Sequence, residues 1–274
     1  MTGRRSLRAA AAVLLVAAGL TACGTAPDPA GSVPAPRPVV LAEIAHDPSA
    51  FTQGLELDGG ILYEGTGLEG RSQLRELDPA TGTLRRSVPL PSGYFGEGIT
   101  VVGDRIWQLT WRDGVALEWD RASLRLLREV PMDGEGWGLC GLDNRLVRSD
   151  GTSTLRFHDP ATFAETGSVE VTLDGDPVPD LNELECVGGR GAAAGGAGGV
   201  GTAQVWANVW QTDRLVRIDP DTGRVTAVVD ASGLLTPQQS AGADVLNGIA
   251  HVRDDEYLLT GKLWPVMFRV RLPT

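Results

Sequence analysis

The sequence predicts an all-β protein, a five-bladed β-propeller whose ring is closed by the N-terminal strand. A short motif, one large polar or aromatic residue followed by small and apolar ones, occurs five times, with spacings of 44, 40, 45 and 65 positions. Strand-like apolar runs and turn residues follow each copy, and no ordinary helical periodicity occurs after residue 38. Units of four short strands at this spacing are typical of propeller blades. The five copies open at Gln53, Glu97, Trp137, Asn182 and Asn247.

Each unit presents its elements in the same order. The motif opens the first strand, and a second and a third apolar run follow, for example at residues 61–63 and from Leu74 onwards. Asp-Pro and Thr-Gly pairs such as Asp78-Pro79 then supply turn chemistry before a fourth strand. The long last spacing contains residues 188–201, a glycine- and alanine-rich insertion that we expect to be a mobile surface loop.

The fifth unit is too short to form a blade by itself. Only 28 residues run from Asn247 to Thr274, whereas residues 39–44 form a strand without an obvious partner at the other end of the domain. We therefore expect the N-terminal strand to complete the fifth blade, within a single propeller domain over residues 39–274.

Residues 1–22 have the features of an export signal. Three arginines precede an apolar stretch at residues 9–20 that is too short for a comfortable membrane span. The stretch ends in Leu20-Thr21-Ala22-Cys23, which resembles the lipobox of bacterial lipoproteins, where the signal is cut before an acylated cysteine. An ordinary secretory signal with an incidental cysteine is the alternative. Residues 23–38 contain five prolines and are expected to be a semi-rigid tether.

The charge of the chain excludes two classes of partner. The formal net charge is −11; residues 1–22 hold three of the 24 basic residues, so the remainder carries 21 basic and 35 acidic residues, a net charge of −14. Nucleic acid and anionic lipid surfaces are therefore not expected as partners. We expect a monomer whose membrane contact is the lipid at Cys23, on the outer face of the cytoplasmic membrane or in the cell envelope.

The cysteines and histidines show no metal-binding pattern. Cys140 and Cys186 each lie in an apolar strand-like run, and we expect two unpaired buried thiols, although export permits a disulfide. His46, His158 and His251 are dispersed without ligand spacing. No metal and no cofactor is expected.

Lys262 is the only lysine among the 24 basic residues. A lysine presents a compact, rotatable charge, unlike the planar fork of arginine. Lys262 ends the second strand of unit five, where units two, three and four carry Trp111, Asp150 and Trp210. Because the first strands of a propeller line its channel and the second strands run antiparallel to them, we expect these residues to converge with Glu97 at one mouth. The alternative is that the aromatic residues only pack between blades.

Eight segments follow one another along the chain: FTQGL (51–55), YFGEG (94–98), GWGL (136–139), SDGTS (149–153), LNELE (181–185), VWANVWQTD (205–213), DVLNGIA (244–250) and TGKLWP (260–265). Through these segments the sequence resembles the glutaminyl cyclases of plant and bacterial type, also called glutamine cyclotransferases. The resemblance implies a five-bladed propeller that converts the N-terminal glutamine of peptides to pyroglutamate, releasing ammonia without a catalytic metal.

The resemblance also implies roles for individual residues. Glu97 corresponds to the proton-transferring glutamate of the family, and Asn182 and Lys262 correspond to its oxyanion-stabilising asparagine and lysine. The residues that correspond to its substrate pocket are Phe51, Gln53, Trp111, Trp137 and Trp210.

Two other function classes are compatible with a propeller. A non-catalytic module could bind peptides or sugars by stacking them on the tryptophans. A lactonase-like hydrolase would need a central metal held by several carboxylates, whereas the five opening residues include one carboxylate, Glu97. A binding module would not require a glutamate, an asparagine and a lysine together.

Replacing the lipid-bearing cysteine tests the export prediction. In cells that process lipoproteins, Cys23→Ala should move the protein from the membrane fraction to the soluble fraction, because a pair of acyl chains is what makes such anchoring stable. The measurement is immunodetection in separated fractions, with the unaltered protein alongside. Identical partitioning of the two proteins would contradict the lipobox interpretation.

Overall fold

The computed structural model describes residues 35–142, 144–188 and 202–273. These residues form five four-stranded antiparallel sheets and one two-stranded hairpin, which confirms the predicted five-bladed propeller. They contain no helix that could cross a membrane. The predicted signal, Cys23, the first part of the tether and residues 189–201 of the insertion lie outside the described residues.

The blades follow one another along the chain, each running from its inner to its outer strand. The strands of blade one are β2 to β5, at Thr52–Asp58, Ile61–Thr66, Gln73–Leu77 and Leu84–Pro89. The strands of blade two are β6 to β9, at Gly96–Val102, Arg105–Thr110, Val115–Asp120 and Arg125–Pro131. The strands of blade three are β10 to β13, at Leu139–Leu142, Arg145–Arg148, Thr154–His158 and Glu165–Glu170.

A short hairpin separates blades three and four; its strands, β14 and β15, are Thr172–Leu173 and Asp176–Pro177. The strands of blade four are β16 to β19, at Leu181–Val187, Gln204–Val209, Arg214–Ile218 and Val225–Asp230. The strands of blade five are β20, β21, β22 and β1, at Leu246–Arg253, Glu256–Gly261, Val266–Arg271 and Val39–Ala45.

The N-terminal strand closes the ring as predicted. β1 is the outer strand of blade five and pairs antiparallel with β22, from Val39 opposite Arg271 to Ala45 opposite Val266. Contacts with the propeller begin before residue 39, the predicted start of the domain. The Pro36 carbonyl accepts a hydrogen bond of 3.0 Å from the backbone N–H of Asp230 in blade four. The last residues of the predicted tether are therefore hydrogen-bonded to the propeller.

The close approach of the inner strands explains why the second residue of the motif is small. Each inner strand contacts those of its two neighbours, and β20 returns to β2. A Cβ on Gly54 would lie 2.6 Å from the backbone nitrogen of Ile99, and a Cβ on Gly98 would lie 2.6 Å from that of Leu139. A side chain at these positions would force neighbouring blades apart, so glycine is required.

Blade four carries Glu183 where the other units have glycine, and its carboxylate joins blades. One oxygen accepts a hydrogen bond from the backbone N–H of Leu55 in blade one (3.2 Å), and the other accepts one from Ile249 in blade five (2.8 Å). The side chain is completely enclosed, and this burial raises its pKa well above the usual range. Glu183 thus bonds blade four to its neighbour, blade five, and to blade one beyond it.

Cys140 and Cys186 form a disulfide, so the expectation of two unpaired thiols is wrong. Cys140 lies on β10 and Cys186 on β16, the inner strands of neighbouring blades, and their Cα atoms are 5.4 Å apart. Both residues are buried in the apolar cluster between these blades. The apolar flanking residues thus correctly indicated that both cysteines are buried. Their pairing is decided by the close approach of the two inner strands.

Removing the disulfide should lower stability without changing the fold. It closes a sequence separation of 46 residues, for which loop-closure entropy gives a stabilisation of at most about 4 kcal/mol. In the double variant Cys140→Ala/Cys186→Ala we expect a loss of about 2–4 kcal/mol, seen as a fall in Tm of roughly 5–15 °C. Reductant should lower the Tm of the unaltered protein and leave that of the variant unchanged. Equal Tm values for the oxidised protein and the variant would contradict the stabilising role.

Candidate active site

One mouth of the ring holds a cavity of about 360 Å³ that is formed where inner strands begin and second strands end. Its lining residues are Phe51, Gln53, Phe95, Glu97, Trp111, Trp137, Asn182, Trp210, Gln211, Asp244, Val245 and Lys262. All eight residues that the sequence predicted for catalysis or substrate binding are among them. Trp111, Trp137 and Trp210 therefore line a cavity and do not serve blade packing alone.

Bulges in the inner strands turn the opening residues towards this cavity. The pairing of inner and second strands slips at the motif in four blades. In blade two, for example, the register shift lies between Gly96 and Ile99 and so contains Glu97. An extra residue in one strand re-aims its side chain and increases the local twist. The bulge explains how Glu97 can belong to a strand and still point into the mouth.

The ends of the second strands are fixed beside the entry of the first strands. The Trp111 N–H donates to the carbonyl of Phe95 (3.0 Å), and the Lys262 N–H donates to that of Val245 (2.9 Å). Trp210 makes the equivalent bond in blade four. These bonds produce the predicted convergence of Lys262, Trp111 and Trp210 with Glu97.

Asp150 does not join them, so its predicted place at the site is wrong. Its carboxylate accepts hydrogen bonds from the Thr152 hydroxyl (2.5 Å) and from the Arg156 guanidinium (2.8 Å). Burial opposes ionisation of Asp150, but these bonds outweigh it and lower the pKa. The residue stabilises its own turn and the neighbouring strand.

Glu97 is buried and held by an amide chain. Its carboxylate accepts a hydrogen bond of 3.0 Å from the Gln53 side chain, whose own oxygen is 3.4 Å from the Asn247 amide nitrogen. Asn247 itself, which opens the fifth unit, is buried and does not line the cavity. Burial raises the pKa of Glu97 well above the usual range; the Lys262 charge opposes this rise, and the Glu135 charge adds to it. A carboxyl of this kind can accept and return a proton at a pH where an exposed glutamate is permanently ionised.

Lys262 places a confined ammonium at the cavity. It is 6% exposed, and its Nζ lies 5.0 Å from the centre of the Phe51 ring. Burial lowers its pKa, whereas Glu97 and Asp244 oppose that change. Asn182, 2% exposed on β16, presents a carboxamide to the same cavity. Two hydrogen-bond donors, one of them charged, can therefore meet a developing negative charge here.

Aromatic rings form the wall of the cavity. The Phe51 and Phe95 rings meet edge to face with centroids 6.0 Å apart, and the Phe95 and Trp111 centroids are 5.5 Å apart. On the other side Trp137 and Trp210 meet edge to face at 5.4 Å. Paired rings hold one another in place and offer rigid apolar surface to a small polar substrate.

Four lining residues were not predicted: Phe95, Gln211, Asp244 and Val245. A signal for two of them was present, because Phe95 and Val245 stand two positions before an opening residue, as Phe51 does. Gln211 and Asp244 have no such register, although both lie within the matching segments.

The histidines are held by hydrogen bonds within the propeller. His46 bonds to the carboxylate of Glu64 (2.9 Å), and His158 bonds to the carbonyl of Phe163 (2.9 Å). Within residues 35–142, 144–188 and 202–273, no three histidine, cysteine or acidic side chains are grouped so that they could hold a metal ion.

Comparison with known proteins gives three agreeing matches. A sequence model of the glutamine cyclotransferase family matches residues 12–272. A glutaminyl-peptide cyclotransferase of Arabidopsis thaliana is 38% identical over 239 residues, which are 85% of this chain and 70% of the relative. The crystal structure of the Myxococcus xanthus glutaminyl cyclase superimposes with a TM-score of 0.72 at 38% identity, over 86% of this chain and 97% of that one. The whole cavity lies within the family match.

Proposed function

Because the chain belongs to the glutamine cyclotransferase family, we propose that it converts the N-terminal glutamine of peptides to pyroglutamate and releases ammonia. The observation that carries the proposal is the meeting of a buried carboxyl, Glu97, with the donors Asn182 and Lys262 in one aromatic-walled cavity. The family is one of enzymes, so the alternative of a binding-only propeller is not favoured.

The reaction needs positioning first. The α-amine attacks the carbonyl carbon of its own γ-carboxamide, a new C–N bond closes the ring, and the bond to the departing ammonia breaks. Since both partners belong to one molecule, the enzyme has to hold a conformer in which they are near attack distance. The rings of Phe51, Trp111, Trp137 and Trp210 are the surfaces that would hold it.

Glu97 would carry the proton. The attacking amine loses a proton as the ring closes, and the nitrogen of the carboxamide must gain one to leave as ammonia. One carboxyl group can do both, provided that its pKa lies between the ordinary value of a glutamate and that of the amine. Burial shifts Glu97 in that direction, and the Gln53 amide fixes its orientation.

Lys262 and Asn182 would stabilise the tetrahedral intermediate. The former carbonyl oxygen bears a negative charge in that intermediate, and donors fixed in a water-poor site stabilise such a charge strongly. Both side chains are almost completely buried and face the cavity. The proposed mechanism uses only side chains of this chain and no metal.

We also propose that the protein is an exported lipoprotein, acylated at Cys23 and anchored in the cell envelope. The lipobox-like segment is one support, and the disulfide of Cys140 and Cys186 is a second, because structural disulfides persist in oxidising compartments. A monomer is sufficient for the activity, since one chain supplies every lining residue of the cavity.

Removing the proton carrier tests the proposed function directly. The unaltered protein should release ammonia from a glutaminyl dipeptide, also after treatment with a chelator. Glu97→Gln should lower kcat by at least about 10²-fold, because glutamine keeps the shape but cannot carry a proton, while peptide binding measured by calorimetry stays close to that of the unaltered protein. A folded variant with unchanged kcat would contradict the role of Glu97.

The lone lysine allows a sharper test. Lys262→Arg keeps a positive charge but replaces a compact ammonium by a wide planar group, so kcat should fall by about 10²–10³-fold. Lys262→Met should lower kcat by at least as much and should also change the pH profile of kcat. A positive neighbour lowers the pKa of Glu97; its removal raises that pKa, so the limb of the kcat profile governed by Glu97 should move to higher pH in the methionine variant only.

The measurements are kcat against pH for both variants, with circular dichroism to establish folding. A folded Lys262→Arg protein with nearly unaltered kcat would remove Lys262 from the mechanism and leave Asn182 as the oxyanion donor.

A further inference from the structure

The aromatic wall of the cavity has one gap. Ring contacts join Phe51 to Phe95 and Phe95 to Trp111, and separately Trp137 to Trp210. Among the described residues no ring pair joins Trp111 of blade two to Trp137 of blade three. These two indoles face the same cavity from neighbouring blades, so something else must fix their relative orientation.

The Glu135 carboxylate fills that gap. Its Oε2 accepts a hydrogen bond from the indole N–H of Trp111 (2.8 Å) and another from the indole N–H of Trp137 (2.9 Å). An indole has a single N–H donor, and both are used here on one oxygen atom. Hydrogen bonds to a charged acceptor are shorter and stronger than neutral ones. Glu135 therefore connects the two halves of the wall without itself lining the cavity.

Glu135 is itself held on both sides. Its second oxygen accepts a hydrogen bond of 2.7 Å from the Arg112 guanidinium, which lies 3.9 Å above the Trp111 ring. Its backbone carbonyl accepts a hydrogen bond of 3.0 Å from the guanidinium of Arg148, a residue that is 1% exposed. Side chain and backbone are thus anchored independently, and rotation of the carboxylate away from the indoles would break several bonds.

We propose that Glu135 is a positioning residue that holds the Trp111 and Trp137 indoles as one continuous wall for the substrate. The inference rests on the proposed cyclotransferase function. Glu135 does not line the cavity, and it acts through the two tryptophans. An intramolecular reaction that depends on a near-attack conformer is sensitive to such a wall, since a displacement of about 1 Å can cost roughly 10²-fold in rate.

The charge of Glu135 has a second effect at the site. Partial burial opposes its ionisation, but hydrogen bonds from Trp137, Arg112 and Trp111 outweigh burial and lower its pKa. Burial is the main cause of the raised pKa of Glu97; the Lys262 charge opposes the rise, and the negative charge of Glu135 adds to it. Removal of the negative charge should therefore lower the pKa of Glu97.

Two substitutions of Glu135 separate the effect of side-chain length from the effect of charge. Glu135→Asp keeps the charge but is too short to reach both indoles. Glu135→Gln keeps the length but loses the charge, which weakens the indole hydrogen bonds, and loses the second carboxylate oxygen, which accepts the Arg112 hydrogen bond. Both should lower kcat/KM by about 10- to 100-fold. Only Glu135→Gln should move the Glu97-governed limb of the kcat profile to lower pH. A merely structural role would not produce this difference between two folded variants.

Glu76→Gln is the matched control. Glu76 also accepts hydrogen bonds from an arginine, Arg86, with 2.6 Å to each oxygen, but it lies on β4, no residue of which lines the cavity. This variant should keep the kcat/KM and pH profile of the unaltered protein. Nuclear magnetic resonance of ¹⁵N-labelled indoles gives a readout independent of activity: Glu135→Gln should shift the signals of Trp111 and Trp137 and leave the other tryptophan signals in place.

The outcomes are distinguishable. If the unaltered protein turned over no glutaminyl peptide, the proposed function itself would fall, and the catalytic role of the wall with it. If the unaltered protein is active but both Glu135 variants match Glu76→Gln in kcat/KM, or Glu135→Gln leaves the two indole signals in place, the positioning role of Glu135 is overturned and the proposed function stands.

Discussion

The close approach of five inner strands around one axis is the constraint on which the rest of this structure depends. Where neighbouring inner strands meet, the space beside Gly54 and Gly98 is too small for a Cβ. The carboxylate of Glu183 takes up the corresponding position in blade four and bonds blades one and five by their backbone N–H groups. The same proximity brings Cys140 and Cys186 within disulfide distance. Packing, polar bonding and covalent linkage between blades thus have one geometric origin.

The positions of the catalytic side chains depend on the path of the inner strands where they diverge from this crowded axis. Bulges at the motif turn Gln53, Glu97 and Asn182 towards one mouth, although these residues belong to three different blades. The ends of the second strands return to the same mouth and add Lys262 and the tryptophans. A rigid, low-polarity enclosure then shifts the pKa of Glu97 upwards and that of Lys262 downwards, so that burial alone brings the two groups closer in proton affinity.

The repeat made much of this predictable. Its register predicted the number of blades, the closing strand and the lining residues that open a unit or end a second strand. The same register could also have identified Phe95 and Val245, which share the position of Phe51. Register failed at Asp150, because Thr152 and Arg156 bind its carboxylate and the residue does not line the cavity. The disulfide and the two-indole contact of Glu135 depend on distances between blades, which a single sequence does not contain.

Closure by β1 also gives the chain a late and demanding last step in folding. Val39 pairs with Arg271, so the two strands that meet in blade five come from opposite ends of the domain. Contacts between residues so far apart in sequence form slowly, because a long loop must be closed before they contribute any stability. Until β22 is in place, β1 with its apolar residues Val39, Val40 and Leu41 therefore has no strand to pair with. An unpaired apolar strand of this kind is a hazard for aggregation, and pairing with β22 ends that hazard.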